Sequence, residues 1–226
     1  MNYGKFGLGR IHVEDKRDEN FLMKSMIPLE KEKKFYKYWH PSIWWGNQRA
    51  SPHCVGYSWV HWLTEGPITQ KKSRKSTDIP YDPSKLYYEA QKVDQWEGEN
   101  YDGTSVRAGA KILKQRGFIS EYRWAWTIED VIDGLLYAGP LVVGTFWTEG
   151  MFFPDDDGII TATGQTAGGH AYLLDGINTK RGIIRIKNSW GREWGNKGFA
   201  YISIDDMAKL ISYQGEACLA VEIDKK

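Results

Sequence analysis

The apolar pattern of this chain changes about halfway along its length, and this change constrains the fold more than any other feature. Up to residue 120, apolar side chains recur at the spacing of helix faces, and Gly or Pro marks the segment ends. After Thr127 the chain carries short β-type runs, mostly separated by glycines. The pattern predicts an α+β fold in which a helical lobe precedes an antiparallel sheet or small barrel, with a cleft between the lobes.

Start and stop signals place the elements. Asp82-Pro83 is an N-cap followed by proline at the first helical position, Thr127 can cap a short helix, and Gly117 is a typical helix end. The predicted helices begin near residues 54, 82, 104 and 127, and the predicted strands cover residues 141–146, 171–177, 183–186, 199–204 and 219–223. These elements form one domain with an N-terminal arm (1–40), a helical lobe (41–120) and a β-rich lobe (121–226).

Composition excludes several classes of protein. Thirty basic and 29 acidic residues leave a formal charge of +1, so neither nucleic acid nor an anionic membrane is an expected partner. Two cysteines, Cys54 and Cys218, cannot build a disulfide framework. Residues 1–20 lack the apolar stretch of a secretory signal, and no run approaches the length of a membrane span. We therefore expect a soluble protein made in the cytoplasm.

No cofactor or metal is predicted. The run Asp155-Asp156-Asp157-Gly158 lacks the regular ligand spacing of a calcium loop and indicates a turn. The basic run at residues 71–75 is typical of a solvated loop.

Three side chains are candidates for nucleophilic catalysis. Cys54 stands at the start of the first helix, where unpaired N–H groups and the helix dipole would stabilise a thiolate. His170 follows Gly168-Gly169 at the beginning of a strand, and Asn188 follows another strand directly. Each has an ordinary structural explanation when taken alone: a core cysteine, a satisfied histidine and a turn asparagine. Their combination in this order is what indicates chemistry.

The order Gln48, Cys54, His170, Asn188 resembles the papain family of cysteine peptidases. Gln48 precedes Cys54 by six residues, Gly169-His170-Ala171 resembles the histidine segment, and the stretch from Asn188 to Phe199, NSWGREWGNKGF, resembles the most recognisable block of the family. The likeness extends more loosely from about Trp39 to the C-terminus.

The resemblance implies a role for each residue. Cys54 would attack as a thiolate, His170 would carry the proton, Asn188 would orient the histidine, and Gln48 with the Cys54 backbone N–H would stabilise the oxyanion. The substrate-binding residues expected from family counterparts and from the glycine wall beside His170 are Gly103, Leu141, Gly168, Gly169 and Trp190. The partner would be a peptide or protein substrate, cleaved by acyl transfer to water.

Two departures from the family pattern bear on this interpretation. The segment around the nucleophile, Pro52-His53-Cys54-Val55-Gly56, departs from the family pattern. An alternative register would place Ser58 at the nucleophile position, and the chain would then be a catalytically inactive relative. That register would put Gln48 ten residues away, so we favour Cys54. The paired cysteines of secreted members are missing, which resembles disulfide-poor relatives in bacteria and their viruses. His53 would lie on the cleft rim, and Cys218 would be buried and inert.

Two questions stay open at this level. Water and an amine attack the same thioester, so a transferase or a modifier-removing enzyme is an alternative to a peptidase, as is a catalytically silent binding protein. The N-terminal arm is expected to lie extended over the folded body and to add stability in place of a removable pro-segment. An apolar cluster would anchor it: Phe21, Leu22, Met23, Met26, Ile27 and Leu29.

Overall fold

The computed structural model describes residues 4–39, 42–68, 79–98 and 100–224. The basic run at residues 71–75 lies outside these residues. Five α-helices occur in the described part of the chain: α1 (Cys54–Glu65), α2 (Pro83–Gln91), α3 (Val106–Gln115), α4 (Ile128–Asp133) and α5 (Ile204–Ser212). Asp82, Ser105 and Thr127 cap α2, α3 and α4 as predicted, since each side chain accepts a hydrogen bond from a backbone N–H in the first turn. The segment Gly134–Ala138 continues α4 as a π-helical turn.

Eight strands form one sheet: β1 (Tyr36–Tyr38), β2 (Ile119–Ala125), β3 (Leu141–Thr148), β4 (Ile159–Ile160), β5 (Thr166–Asn178), β6 (Ile183–Lys187), β7 (Phe199–Ser203) and β8 (Glu216–Glu222). The strand order is β2-β8-β3-β5-β6-β7-β4, with β1 added to β5. All pairs are antiparallel except β4 with β7. The sheet is open in the described residues, because no ladder joins β2 to β4. The predicted α+β fold is confirmed, but the barrel-like closure is not.

The central strands separate two cores. On one face Val142, Ala171 and Leu173 pack with α1, α2 and α3. On the other face the neighbouring residues Val143, Tyr172 and Leu174 pack with α5, β6 and β7. Because successive strand side chains point to opposite faces, one set of strands supplies both lobes with apolar surface.

The structure adds elements that the sequence pattern did not indicate. Tyr36–Tyr38, in the part assigned to the arm, is a strand that pairs with β5, and β2 begins at Ile119. Helix α5 begins at Ile204, where the predicted strand 199–204 ends; Ser203 caps it, and Asp205 and Asp206 occupy its first turn. No helix in the described ranges is both long enough and apolar enough to cross a membrane.

Part of the predicted apolar cluster anchors the arm. Met23 is fully buried and Met26 packs against the core, whereas Phe21, Leu22 and Leu29 are exposed. The ion pairs of Arg107 with Asp15 and Asp18 hold the arm to α3. Residues 7–11 run along the cleft between the lobes and hydrogen-bond to both of its walls.

Candidate active site

Cys54 is the first residue of α1, and this position brings its thiol to strand β5. Helix α1 packs against β5, and the backbone N–H of Ala171, the residue after His170, favours the negative charge of the thiol. The N–H groups of Val55 and Gly9 also favour its negative charge. The helix start, which was predicted from sequence, therefore places the sulfur at the strand that carries the histidine.

His170 and Asn188 are joined by a hydrogen bond between Nε2 and Oδ1 of 2.9 Å. Strands β5 and β6 are antiparallel neighbours with Leu173 opposite Lys187, which brings residue 170 close to residue 188. Because the amide oxygen can only accept, Nε2 carries the proton and Nδ1 of the neutral ring is an acceptor. This Nδ1 is buried without a hydrogen-bond partner among the described residues, so it is available to take a proton.

Aromatic rings enclose this hydrogen bond. Trp190 stacks on the His170 ring with centroids 4.8 Å apart, and Trp147 meets the same ring edge-on at 4.8 Å. Excluding water strengthens the hydrogen bond between His170 and Asn188 and fixes the ring orientation. Trp190 therefore shields the hydrogen bond between His170 and Asn188.

Gln48 precedes the helix that carries Cys54 and is fixed by its neighbours. Its Oε1 accepts a hydrogen bond of 2.5 Å from Ser189 Oγ, and its Nε2 donates to Ser51 O at 2.7 Å. The same Nε2 donates to Gly7 O of the arm at 3.1 Å. The Gly7 carbonyl oxygen thus occupies the position in which an oxyanion could accept a hydrogen bond from the Gln48 amide.

The arm closes the site. Cys54 and His170 are both 0% exposed. Gly9 N and Arg10 N each donate to Gly169 O at 3.0 Å, Thr104 N donates to Gly9 O, and Ile11 N donates to Thr104 O. Glycine is required at position 9, because a Cβ there would lie 2.1 Å from Pro52 O. Close backbone contact therefore seats the arm against the loop before α1.

Burial changes the ionisation of the pair. It raises the pKa of the Cys54 thiol to about 11, in spite of the backbone N–H groups that favour the thiolate. It lowers the pKa of His170 to about 4, although the Asn188 hydrogen bond raises it. At neutral pH the covered site therefore holds a thiol and a neutral imidazole. The thiolate expected from the helix start is not the stable form under the arm, since desolvation outweighs the helix terminus.

Four of the five predicted substrate-binding residues contact the arm. A Cβ at Gly103 would lie 2.7 Å from Gly9 O, and Gly168 and Gly169 lie against Leu8 and Arg10. The fourth, Trp190, donates from Nε1 to Gly7 O at 3.3 Å.

Leu141 lies apart from the other four residues. It is buried in the sheet core opposite Leu174, four residues along β5 from His170.

Other candidates have structural roles. Ser58 Oγ donates to Val55 O within α1, which leaves it in the helix and disfavours the alternative register. His53 Nδ1 is 3.1 Å from Ser84 Oγ at the partly buried rim. Cys218 is buried, and burial raises the pKa of its thiol. Asp155 Oδ1 accepts from two backbone N–H groups of its own turn, as predicted.

Sequence reasoning missed one charged residue at the site. Glu216 begins β8 and is 0% exposed, and its Oε1 accepts a hydrogen bond from Arg10 Nε at 3.1 Å. The sequence feature that could have indicated Glu216 is its position directly before the apolar run from Ala217 to Val221. A charge at the end of a buried strand requires a partner, and the arm supplies it.

Beyond Gln48 the cleft continues as an open groove of about 670 Å³. Phe6, Asn47, Phe152 and Trp190 are among the residues that line it. The groove offers room for an extended chain that leaves the site on this side.

A cysteine at a helix start, with that helix packed on the strand that carries the histidine of a histidine–asparagine pair, is the arrangement of the papain-like class. The sequence pattern of the papain family cysteine proteases matches residues 57–218, and the chain belongs to this family. The matched segment contains His170 and Asn188 and begins just after Cys54. The place of Cys54 therefore depends on the geometry described above.

Curated relatives share part of the sequence. The cathepsin B-like cysteine proteinase 3 of Ostertagia ostertagi is 28% identical over 157 residues, 63% of this chain and 88% of that protein. The uncharacterized peptidase C1-like protein L477 of Acanthamoeba polyphaga mimivirus is 25% identical over 166 residues, 52% of each. A cysteine protease of Blomia tropicalis is 32% identical over 95 residues, 39% of this chain and 28% of that protein. The chain thus spans about half or less of the last two.

Solved structures share the fold. Xylellain, a cysteine protease from Xylella fastidiosa, superimposes with a TM-score of 0.75 at 20% identity, over 99% of this chain and 98% of that one. Digestive procathepsin L 3 from the larval midgut of Tenebrio molitor gives 0.65 at 14% identity, over 96% of this chain and 75% of that one.

Proposed function

We propose that this protein hydrolyses peptide bonds through a thioester on Cys54 and that its N-terminal arm keeps the enzyme latent. The observation that carries the proposal is the placement of the Cys54 thiol at the strand of a hydrogen-bonded His170–Asn188 pair, with the amide of Gln48 nearby. Peptide or protein chains are the proposed partners. The balanced charge of the chain gives no reason to expect nucleic acid or a membrane, and we expect synthesis in the cytoplasm.

The chemistry follows from these groups. Nδ1 of His170 takes the thiol proton, and Cys54 Sγ attacks the scissile carbonyl carbon. Nε2–H of Gln48 and the backbone N–H of Cys54 stabilise the oxyanion, and each such donor is worth about 3 kcal/mol in the transition state. His170 then protonates the leaving amine, which departs and leaves the thioester. Water attacks the thioester, His170 takes its proton, and the acid product and free thiol are released.

Latency follows from what the arm occupies. The Gly7 carbonyl accepts from both Gln48 and Trp190, and Gly9 N donates to Gly169 O beside His170. The arm therefore fills the place that a substrate chain would take. It also excludes water, which keeps Cys54 and His170 in their neutral forms.

Labelling and proteolysis test the catalytic assignment. An epoxysuccinyl or iodoacetamide reagent should modify Cys54 faster than Cys218, and Cys54→Ala should abolish hydrolysis of a denatured protein substrate with an unchanged circular-dichroism spectrum. Cys218→Ala is the matched control and should retain activity. Labelling at Cys218 only, or hydrolysis that survives Cys54→Ala but is lost with Ser58→Ala, would overturn the assignment. Mass spectrometry of the products separates hydrolysis from transfer to an added amine.

A further inference from the structure

A buried histidine of α1 holds the loop that carries Gln48. His61 is 0% exposed and follows Cys54 by seven residues on the same helix. Its Nε2 accepts a hydrogen bond of 3.1 Å from the backbone N–H of Gly46, which precedes Gln48 by two residues. The helix of the nucleophile therefore contacts, through one side chain, the main chain that carries the proposed oxyanion donor.

The same loop is also joined to the segment that follows Asn188. Gly191 N donates to Gly46 O at 3.1 Å, and Gln48 N donates to Ser189 O at 2.8 Å. The two polar groups of Gly46 are thus held from two directions, the N–H by α1 and the carbonyl by the segment after Asn188. Gly46 is buried, so loss of either partner would leave a buried backbone group unpaired.

The hydrogen bond from Gly46 determines the state of the His61 ring. A backbone N–H can only donate, so Nε2 is the acceptor and the proton of the neutral ring lies on Nδ1. This Nδ1 is buried without a hydrogen-bond partner in the ranges that the structure describes. Burial, together with the charge of Lys187, lowers the pKa of His61 well below its ordinary value, so the ring remains an acceptor at neutral pH. An apolar side chain would avoid the unpaired Nδ1–H, so what the imidazole adds is the acceptor for Gly46.

Close packing fixes the geometry of this contact. The Trp44 ring lies against His61 with centroids 4.8 Å apart, and it stacks on Tyr57 of α1 at 6.3 Å. A Cβ at Gly46 would lie 2.5 Å from Tyr57 Cδ1 and 2.9 Å from Trp44 Cη2. The absence of a side chain at position 46 therefore lets the backbone approach α1 closely enough for its N–H to reach the imidazole.

We propose that His61 is a positioning residue for the oxyanion donor: by holding the Gly46 N–H, it fixes the loop so that the Gln48 amide points to the place where the oxyanion forms. This inference rests on the proposed peptidase function. The amide of Gln48 is used mainly in the transition state, so a displaced loop lowers kcat and leaves substrate binding largely unchanged. A shift of about 1 Å in such a group can cost on the order of 100-fold in rate.

Kinetics in the arm-displaced background, full-length Gly9→Ala, test this role. His61→Leu removes the acceptor and should lower kcat on the order of tenfold while KM changes by less than about twofold. His61→Gln, whose amide oxygen can accept from the Gly46 N–H, should keep kcat within about threefold of the parent. A change confined to KM, or equal losses of kcat in the two variants, would overturn the role.

A double-mutant cycle with Gln48 separates positioning from general damage. If His61 acts through Gln48, His61→Leu should cost less than about twofold in kcat once Gln48→Ala has removed the donor. Alkylation of Cys54 by iodoacetamide forms no oxyanion, so His61→Leu should leave its rate unchanged. Ser58→Ala, another buried change in α1, is the matched control and should alter neither kcat nor alkylation. An undiminished loss in the Gln48→Ala background, or a parallel fall in alkylation, would show that His61 only supports the fold.

Backbone amide exchange tests the contact without any assay of activity. In the full-length wild-type protein, NMR should show slow exchange of the Gly46 amide proton; His61→Leu should accelerate it on the order of tenfold or more, whereas His61→Gln should not. Unchanged exchange in His61→Leu would overturn the proposal. If Cys54 is alkylated in Gly9→Ala but no peptide is cleaved, the peptidase function fails and the positioning role fails with it. Accelerated exchange in that case shows that His61 still holds the loop.

Discussion

Single residues at this site act in two settings, with the arm in the cleft and with the arm displaced. Gln48 illustrates this, because its Nε2 binds the Gly7 carbonyl in the covered state and would bind the oxyanion in the open state. Cys54 and His170 are neutral under the arm and need solvent access to form an ion pair. The same side chains therefore hold the inhibitory segment and carry out the proposed chemistry.

The pH dependence of Cys54 alkylation should show whether the arm covers the thiol. In wild type the pKa of Cys54 is raised to about 11 by burial, so the thiolate fraction and the iodoacetamide rate should keep rising with pH across about pH 6 to 10. The neutral His170, with its pKa lowered to about 4, adds no inflection in that range. In Gly9→Ala the hydrated thiol should reach its plateau at a lower pH. A wild-type plateau near neutrality would contradict the covered state.

At the scale of elements, a buried ion pair joins α1 to the sheet. Lys187 at the end of β6 contacts Glu65 at the end of α1, and both side chains are 0% exposed. Lys187 Nζ also donates to Trp44 O at 3.1 Å, and Ser42 N donates to Glu65 Oε1. The pair thus fixes the helix that carries Cys54 relative to the strand that leads into Asn188.

Removing one partner of this pair should be costly. Lys187→Met leaves the Glu65 carboxylate buried without its cation, and we expect a loss of about 3 to 5 kcal/mol in the free energy of unfolding. Urea denaturation followed by tryptophan fluorescence measures this loss. Glu65→Gln/Lys187→Met should recover part of it, because neither charge of this pair remains. Lys209→Met, which removes the exposed Lys209–Asp206 pair, is the control and should change little. An equally small effect of Lys187→Met would show that the pair does not join the lobes.

Local signals predicted the elements well and their long-range partners poorly. Local sequence determines the caps at Asp82 and Ser105 and the β-type run that forms β3, so their positions follow from neighbouring residues. The burial of Lys187 could not be predicted from its neighbours, because its partner Glu65 lies 122 positions away in the sequence. Leu141 shows the same limit, because its family-like segment does not reveal that it pairs with Leu174, four residues along β5 from His170.

For the whole molecule, the arm is the part that sequence alone did not place. Residues 1–20 lack an apolar stretch, and the prediction gave the arm a stabilising role instead of an inhibitory one. Gly7 and Gly9 are not flexible spacers. A Cβ at either position would lie about 2 Å from a carbonyl oxygen of the loop before Cys54, 1.9 Å for Gly7 and 2.1 Å for Gly9. These two glycines allow a close contact between the arm and residues 51 and 52, and this contact exists only in the folded chain.

Full-length Gly9→Ala should therefore be more active than wild type. The added methyl cannot fit against Pro52 O, so residues 7–11 must leave their hydrogen bonds to Gly169 and Thr104, and the cleft opens. Peptide hydrolysis and Cys54 alkylation should both rise, on the order of tenfold or more if the arm is seated most of the time. The melting temperature should fall, because the Arg10–Glu216 pair is lost with the arm. Glu32→Ala, an exposed change in the same arm, is the matched control and should alter neither rate. A less stable Gly9→Ala protein with unchanged rates would mean that the arm stabilises the fold without inhibiting it.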